Sequence, residues 1–493
     1  MADQQGYKTI FKSTFLLGFV QVFNIIVKVI LNKIAAVLLG PSGMGIIGLF
    51  NNSTTMLKTG CGIGIPQSAV RDISEANAAK EDERFTLTIS VTNKIVLFTA
   101  FFGVTVTALL SPFLSKWTFD SDNYTLSYLL LSLSVGFSIM TDGKLAILTG
   151  MRRLRDLAKA SMYGSVFGLL MAVPFYYFMG ADGIAPSLVT LALGTYIVAE
   201  IYVRKVRYDN IRTNFKKFCH LVKDMVKMGC SLMFVSFISL FFDLAVASYI
   251  SYAGGLADVG FYQAGVTIIS SYFGIIITAM TTDYYPRISA VSMDNAKLQT
   301  EMNRQSEVGL IMVFPLVIIF IFLSSFFIQL LYDSSFEQSN NYTNYALLGT
   351  IMIIVSNSMG MILLAKRASK IFLWSVIIQR IVLIVVYISL YRLWGLMGLG
   401  IAYIFTGLLH LSMMSVILKK FYNISLDIRI LLLLSLILSV ALVMIFVRTI
   451  DSSIIKYLLG GIGMIFSIAY SLRYMRVKLD INLTTIIRRK LKK

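Results

Sequence analysis

The chain has 493 residues, of which 57% are hydrophobic and 14% charged, and its mean hydropathy is +0.77. These values exclude an ordinary soluble protein and predict a polytopic membrane protein. The formal net charge of +19 would also suit a nucleic-acid-binding protein, so the positions of the basic residues decide what it means.

Hydrophobic runs follow one another along almost the whole chain. A run of about 20 residues crosses a bilayer core of roughly 30 Å as a helix. Fourteen such runs lie at about 12–39, 44–66, 86–110, 124–148, 160–179, 183–203, 229–251, 260–285, 308–331, 343–365, 371–391, 396–418, 429–448 and 454–473. The predicted fold class is therefore an all-α polytopic membrane protein with fourteen transmembrane helices.

Basic residues concentrate in every second loop. Of the 44 Lys and Arg residues, 34 lie in the N-terminal segment, in alternate loops and in the C-terminal tail. The opposite loops hold Lys116, Arg392, Arg448 and Lys456. By the positive-inside rule, this asymmetry predicts that both termini are cytoplasmic. The surplus charge is expected to set orientation and to contact membrane lipids, and no nucleic-acid partner is predicted.

The sequence also repeats internally. A shift of 215 residues superimposes five pairs of identical residues. The pairs are Gly40 with Gly255, Gly45 with Gly260, Gly180 with Gly395, Gly183 with Gly398, and Arg152 with Arg367. One constant offset predicts two homologous six-helix lobes, and because six is even the repeat is parallel.

The predicted organisation follows from this repeat. The two lobes are an N-lobe with helices 1–6 at 11–204 and a C-lobe with helices 7–12 at 228–420, and a cytoplasmic linker at 205–227 joins them. An extra helix pair at 429–473 and a basic cytoplasmic tail at 474–493 follow the C-lobe. No loop is long enough to fold as a separate domain. A membrane glycan polymerase or ligase, which needs extramembrane catalytic groups, is disfavoured for that reason.

The first helix carries a polar face inside its span. Gln21, Asn24, Lys28 and Asn32 recur at spacings of three and four residues, which places them on one side of a helix. A charge in a span costs roughly 2.5–3.5 kcal/mol on insertion scales, so it normally faces a cavity and marks a pathway. We predict that the first three line a substrate cavity. The alternative is that each group is satisfied within its own lobe or snorkels to the headgroups.

The seventh helix carries the equivalent polar face. The 215-residue offset maps Gln21, Asn24 and Lys28 onto Ser236, Ser239 and Asp243, so the lysine position is acidic in the second lobe. We predict that Ser239 and Asp243 line the same cavity. If the two faces meet, Lys28 and Asp243 form an ion pair that breaks as the lobes move.

Further polar residues complete the predicted cavity. Asn51, Thr55 and Lys58 share one face of the second helix, and Arg380 lies centrally in the eleventh. A cavity biased toward lysine attracts anions. Lysines nearer to helix ends are expected to snorkel instead, and these are Lys33, Lys94 and Lys144.

Two proline-containing segments lie at predicted cytoplasmic helix ends. IPQSAVRDIS contains Pro66 and Arg71, and YYPRISAVS contains Pro286 and Arg287. Proline ends or kinks a helix, and an arginine beside it suits a cytoplasmic gate or a phosphate contact. The alternative for each arginine is a positive-inside anchor.

No catalytic or cofactor-binding pattern stands out. His220 and His410 are isolated, and Cys61, Cys219 and Cys230 form no metal-ligand or disulfide pattern. We therefore predict a transporter rather than an enzyme, with no catalytic residue, metal or cofactor. A coupling ion, H⁺ or Na⁺, or the membrane potential would supply the energy.

Three segments of the chain resemble the Wzx-type flippases of lipid-linked oligosaccharides. They are KIAAVLLGPSGMGIIGLFNN, GCGIGIPQSAVRDIS and the similar later segment YYPRISAVS. Those flippases belong to the multidrug/oligosaccharidyl-lipid/polysaccharide (MOP) exporter superfamily. The resemblance implies a V-shaped pair of six-helix bundles around a cationic cavity that alternates between inward and outward states. The extra pair at 429–473 resembles the fourteen-helix members that flip the peptidoglycan precursor.

The same resemblance implies the cargo and the setting. The cargo would be an undecaprenyl-pyrophosphate oligosaccharide, carried from the cytoplasmic to the periplasmic leaflet of a bacterial inner membrane for O-antigen or related polysaccharide assembly. The expected partners are this lipid-linked substrate, membrane lipids and the polysaccharide polymerase and chain-length machinery, and the expected state is a monomer. The main alternative is a cation-coupled antiporter of the same superfamily, which should carry an unpaired acidic residue deep in the first lobe. Asp142 is the candidate for that residue.

Overall fold

The computed structural model describes residues 2–79, 82–205 and 215–478, and within these ranges it contains α-helices and no strand. The helices are α1 (Ala2–Cys61), α2 (Ile65–Ala79), α3 (Asp82–Phe119), α4 (Thr125–Gly150), α5 (Leu154–Met179), α6 (Ile184–Arg204), α7 (Phe215–Thr267), α8 (Gly274–Ala290), α9 (Asn295–Phe322), α10 (Ser324–Leu331), α11 (Ser339–Ala365), α12 (Ser369–Tyr422), α13 (Ile428–Val447) and α14 (Ser453–Lys478). Short 3₁₀ turns and one π-helical turn, Ile268–Phe273, connect some of them. The all-α prediction is confirmed.

Ten helical stretches of the described chain are long and apolar enough to cross a membrane. Four of these ten are interrupted by a glycine at positive φ, a backbone conformation that residues with a Cβ rarely adopt. The interrupting residues are Gly40, Gly180, Gly255 and Gly395. Because each of the four stretches is two spans joined at the glycine, the described residues form fourteen spans, as predicted.

The sequence repeat is visible in the backbone. Three pairs of residues that lie 215 positions apart have positive φ in both members. They are Gly40 with Gly255 (φ 66° and 84°), Gly180 with Gly395 (56° and 55°), and Arg152 with Arg367 (55° and 57°). The arginine pair is the most specific of the three, because a non-glycine residue at positive φ is uncommon.

The repeat departs from a constant offset at one place. Ile268–Phe273 forms a π-helical turn, which is wider than an α-helical turn and accommodates an extra residue. Beyond it, Arg71 and Arg287 are 216 positions apart, and by Arg152 and Arg367 the offset is 215 again. The offset of 215 is therefore restored between Arg287 and Arg367.

The chain divides into two compact units. Unit 1 comprises Met1–Gln263 with Leu331–Asp333, and unit 2 comprises Ala264–Leu330 with Ser334–Lys493. Unit 1 thus includes most of α7 in addition to α1–α6. Residues 206–214 of the predicted linker and 479–493 of the predicted tail lie outside the described residues. The predicted lobe boundaries stay a prediction.

A buried aromatic cluster in unit 1 fixes the second arm of α1, which is the part of the helix that follows Gly40. Tyr128 is fully buried, and its hydroxyl lies 2.8 Å from the Ser53 hydroxyl and 2.9 Å from that of Thr118. Phe50 packs edge-on against Tyr128 with 5.2 Å between ring centroids, and Phe119 also packs against Tyr128. These contacts tie α1 to α3 and α4, and so they fix where the last turns of α1 lie along α4.

Glycines bring the backbones of α1 and α7 into direct contact within unit 1. A Cβ atom on Gly45 would lie 2.0 Å from the Leu256 carbonyl oxygen, and one on Gly260 would lie 1.9 Å from that of Pro41. A second close approach follows α1, where a Cβ on Gly64 would lie 2.2 Å from the carbonyl oxygen of Gly229. The part of α7 around Gly229 is thereby held against the turn that joins α1 to α2.

Unit 2 attaches α13 and α14 to α9 and its neighbours. The Arg448 guanidinium, which follows α13, donates a 3.0 Å hydrogen bond to the Ser325 hydroxyl, and that hydroxyl also contacts the Glu337 carboxylate. On α14, the Tyr474 hydroxyl donates to the Glu307 carboxylate of α9. The two helices outside the predicted repeat are thus fixed by charged groups as well as by apolar packing.

Candidate functional site

A half-polar cavity lies in unit 1 where α1, α2, α4 and α7 meet. Its volume is about 190 Å³. It is lined by Thr55, Lys58, Thr59, Gly62, Gly64, Pro66, Gln67, Ile139, Asp142, Met233 and Ser236. Hydroxyl, amide, ammonium and carboxylate groups therefore share its surface with the glycines that follow α1 and a few apolar side chains.

An ion pair crosses this cavity wall. Lys58 Nζ, in the last turn of α1, lies 2.9 Å from Asp142 Oδ2 on α4. The two side chains are 29% and 38% exposed, so the pair is open to the cavity. Partly exposed ion pairs are worth roughly 0–1 kcal/mol, because water screens them and their ordering costs entropy. The pair therefore holds Lys58 in place only weakly.

A second ion pair lies on another face of α4. Lys144 Nζ is 2.9 Å from Glu200 Oε2 of α6 and 2.9 Å from Asn93 Oδ1 of α3. Glu200 also accepts a 2.9 Å hydrogen bond from Arg204. Residues two apart do not share a helix face, which explains why Asp142 and Lys144 have different partners. Lys144 is therefore bound within unit 1. The expectation that it extends to the headgroups is wrong.

The predicted residues of α1 separate into three groups. Thr55 and Lys58 line the cavity. Asn24 binds α5, because it donates a 2.8 Å hydrogen bond to Ser161 and accepts one of 2.8 Å from Ser165. The remaining three are exposed on α1, and they are Gln21, Lys28 and Asn51. The structure brings together the two predicted residues of the second arm and assigns Asn24 to a helix contact.

The predicted residues of α7 lie on a partly open face. Ser236, which the repeat pairs with Gln21, lines the cavity. Ser239 is half-buried and Asp243 is exposed. The predicted ion pair of Lys28 with Asp243 stays a prediction, and so does their place in a common cavity.

The predicted gate residue of unit 1 takes part in a charged cluster. Arg71 on α2 donates a 2.8 Å hydrogen bond to Glu75, and its Nη1 lies 3.2 Å from the Met228 sulfur of α7. The hydrogen bond and the charge of Glu75 raise the pKa of the Arg71 guanidinium. Burial raises the pKa of the neighbouring Asp72 carboxyl, an effect that the charge of Arg71 opposes. Arg71 therefore bridges α2 and α7 beside the cavity.

The predicted gate residue of unit 2 is more firmly held. Arg287 on α8 donates hydrogen bonds of 2.7 Å to Glu301 and 2.8 Å to Gln305, both on α9, and its Nε lies 3.1 Å from Asp283. Arg380 is half-buried on α12. Whether any of these arginines acts as a gate or lines a cavity stays a prediction.

The repeat places a smaller, uncharged cavity at the equivalent part of unit 2. Its volume is about 10 Å³, and Thr281, Gln305 and Asn357 are among its lining residues. Asn357 is the counterpart of Asp142, and its amide donates a 3.3 Å hydrogen bond to the Thr281 hydroxyl. The acidic group of unit 1 is thus a neutral amide in unit 2.

A sequence model of one protein family, described as polysaccharide biosynthesis protein, matches residues 10–292, which is more than half of the chain. The chain belongs to this family. The polysaccharide biosynthesis family match includes all of the cavity-lining residues of unit 1. No curated protein sequence matches the chain.

Solved structures of MOP-superfamily transporters share the fold of this polysaccharide biosynthesis family member. The lipid II flippase MurJ in an inward closed conformation is 14% identical, with a TM-score of 0.69 over 94% of this chain and 99% of that one. An inward-facing multidrug resistance MATE family transporter of the MOP superfamily is 14% identical, with a TM-score of 0.63 over 82% of this chain and 96% of that one. The fold predicted from the resemblance to the MOP superfamily is therefore confirmed.

Glu200 and Asn93 are site neighbours that sequence reasoning missed in this family member. Glu200 has a sequence signal, since it is an acidic residue inside the sixth predicted span, four residues before Arg204. Asn93 has none, because one amide in a span is common. Both could be assigned only once the packing of α3, α4 and α6 was known.

Proposed function

We propose that this protein is a flippase that carries an undecaprenyl-pyrophosphate-linked oligosaccharide from the cytoplasmic to the periplasmic leaflet by alternating access. The family match over residues 10–292 carries the proposal, because it joins polysaccharide biosynthesis to a chain with a transporter fold. A lipid-linked glycan intermediate has to cross the membrane when it is made on one side and used on the other. The likeness to a structure described as a lipid II flippase supports a lipid-linked cargo.

The chemistry of the unit 1 cavity supports a diphosphate as the recognised group. Lysine binds phosphate as a point charge, and hydroxyl and amide groups donate to the remaining oxygens. Lys58 supplies the charge, and Thr55, Thr59, Gln67 and Ser236 supply the neutral donors. At about 190 Å³ the cavity is below the roughly 300–1,000 Å³ of ordinary ligand pockets. It suits a diphosphate, and the sugars would need a more open state.

A cation-coupled antiporter is the second candidate, since MATE transporters share the fold. That function calls for an unpaired acidic residue in the first lobe. Asp142, the candidate from sequence, has Lys58 at 2.9 Å and is therefore already paired. This observation favours the flippase.

The setting of the proposed function is a bacterial inner membrane. We propose that both termini are cytoplasmic, in line with the distribution of Lys and Arg between the loops. We also propose that a monomer delivers its cargo to a polysaccharide polymerase and chain-length machinery. H⁺, Na⁺ or the membrane potential would drive the transport cycle.

Native mass spectrometry of the purified protein with an undecaprenyl-pyrophosphate oligosaccharide tests the proposal. We expect a complex with wild type and weaker binding by the Lys58→Ala variant, which lacks the cation of the unit 1 cavity. A Lys116→Ala variant is the matched control, because Lys116 is an exposed lysine in the last turn of α3. Absence of a complex with wild type would contradict the flippase and favour the cation-coupled antiporter.

A further inference from the structure

The Lys58 and Asp142 ion pair is the charged feature of the cavity itself. The two groups come from different helices, α1 and α4, and both line the cavity. The contact is between Nζ and a single carboxylate oxygen, Oδ2, at 2.9 Å. A lysine ammonium has three N–H donors, so other acceptors can approach Lys58 from the cavity. The pair is accessible to a ligand because both side chains are partly exposed.

The fold does not require a charge at the position of Asp142. Its counterpart 215 residues later is Asn357, which makes a neutral hydrogen bond to Thr281. The counterpart of Lys58 is Phe273, or Gly274 if the π-helical turn is counted, and neither carries a charge. The same scaffold therefore closes around a cavity of about 10 Å³ without an ion pair.

Asp142 is also not needed to neutralise the other lysine of α4. Lys144 is neutralised by Glu200, which lies 2.9 Å away on α6, and it is bound by Asn93 as well. The contact that the structure gives to Asp142 is therefore with the cavity lysine.

We propose that Asp142 is an internal competitor for the anionic group of the cargo: its carboxylate occupies Lys58 in the empty cavity and is displaced by a phosphate oxygen when cargo binds. This inference rests on the proposed function. A diphosphate carries more negative charge than one carboxylate, so it wins the exchange, and a weak, partly exposed pair is easily broken. When the cargo leaves, Asp142 returns to Lys58, so no uncompensated charge stays in the cavity.

The competitor lowers affinity and speeds release. A transporter has to bind its cargo well enough to load and weakly enough to unload on the other side, as ion channels do for their ions. Replacing Asp142 with asparagine keeps the shape and removes the competing charge. Since partly exposed pairs are worth little, we expect Asp142→Asn to bind diphosphate about fivefold more tightly and to flip cargo more slowly.

The experiment measures binding of undecaprenyl diphosphate to the full-length protein in nanodiscs of neutral lipid, with inorganic pyrophosphate and phosphatidylglycerol as separate probes. Asp142→Asn should tighten diphosphate binding, Lys58→Met should weaken it at least about tenfold, and Asp142→Asn should have no effect in the Lys58→Met background. Asp142→Glu, which keeps the competing charge, should stay near wild type. Tighter binding of phosphatidylglycerol alone would contradict the inference, because it would make the site a lipid contact.

Asp156→Asn is the matched control, since it removes one carboxylate from a partly exposed ion pair of unit 1, that of Asp156 with Arg153, whose residues do not line the cavity. If both acidic substitutions tighten binding equally, or if Asp142→Asn weakens it, Asp142 is not a competitor. The two proposals fail in different ways. If wild type binds inorganic pyrophosphate but not undecaprenyl diphosphate, the proposed function fails. The pyrophosphate affinities of wild type and Asp142→Asn then decide whether Asp142 competes for Lys58. If no variant binds either probe, the inference is overturned as well.

Discussion

Residues 215 positions apart occupy equivalent places in the two repeats, yet at three such pairs of positions unit 1 carries a charged residue and unit 2 a neutral one. The pairs are Asp142 with Asn357, Lys144 with Met359, and Glu200 with Ser415. Met359 is fully buried, and Ser415 donates a hydrogen bond to the Leu411 carbonyl of its own helix. Unit 2 shows that this scaffold packs without those charges. The scaffold itself therefore does not require these three charges.

The cavities of the two units also differ, and the one in unit 1 is both larger and charged. The unit 1 cavity, of about 190 Å³, has an ion pair on its wall, whereas the unit 2 cavity, of about 10 Å³, is spanned by a hydrogen bond between neutral groups. Volume and charge thus occur together in one repeat.

Lys58→Met should abolish cargo transport, because it removes the cavity cation and leaves Asp142 without its partner. The protein should still insert and accumulate normally. Complementation of polysaccharide export in cells lacking the transporter measures the effect, with Phe273→Met in the second repeat and Lys116→Ala on α3 as controls expected to keep activity. Transport by Lys58→Met at the wild-type level would show that the cation of the unit 1 cavity is not needed for transport.

Glu200→Gln should destabilise the protein by roughly 3 kcal/mol, because Lys144 is then left without its carboxylate partner at a largely buried position. The matched substitution in unit 2, Ser415→Ala, should stay within about 0.5 kcal/mol. Thermal unfolding of both variants in one detergent gives the comparison. Equal melting temperatures would mean that the Lys144 and Glu200 pair does not stabilise unit 1.

Gly180→Ala and Gly395→Ala should destabilise their units to a similar extent, by roughly 2 kcal/mol each. Both glycines have positive φ with ψ near −131° and −136°, and a Cβ at either would meet no atom within 4 Å. The cost is then backbone strain alone, which the repeat predicts to be equal. A large difference between the two unfolding midpoints would show that the repeats are not energetically equivalent here.

Asp294 offers the smallest effect and contrasts a structural carboxylate with that of Asp142. It caps α9, and the backbone N–H groups of Lys297 and Ala296 hold its pKa below the ordinary value. Its contribution to stability is therefore present above the unfolded pKa of about 4 and is lost as the pH falls through the folded value. Asp294→Asn should lower the melting temperature slightly at neutral pH and less in acid. A pH-independent difference would contradict the linkage.

The sequence predicted the spans, the repeat and the helix faces that carry polar groups, because these follow from hydropathy and from a period of 3.6 residues. It placed Thr55 and Lys58 on the face that lines the unit 1 cavity. It did not predict partners. Asp142, the predicted candidate for an unpaired acidic residue, pairs with Lys58, and Asn24, predicted to line the cavity, binds α5. A helical period shows which residues share a face, but only packing determines which helix that face meets.

Reconstituted flipping tests the central claim most directly. Wild type and Lys58→Met would be placed in liposomes containing a fluorescent undecaprenyl-pyrophosphate oligosaccharide, and an external reagent would report how much of it changes leaflet with time. We expect leaflet exchange with wild type and none above empty liposomes with Lys58→Met. Equal exchange by both proteins would show that the unit 1 cavity does not handle the cargo.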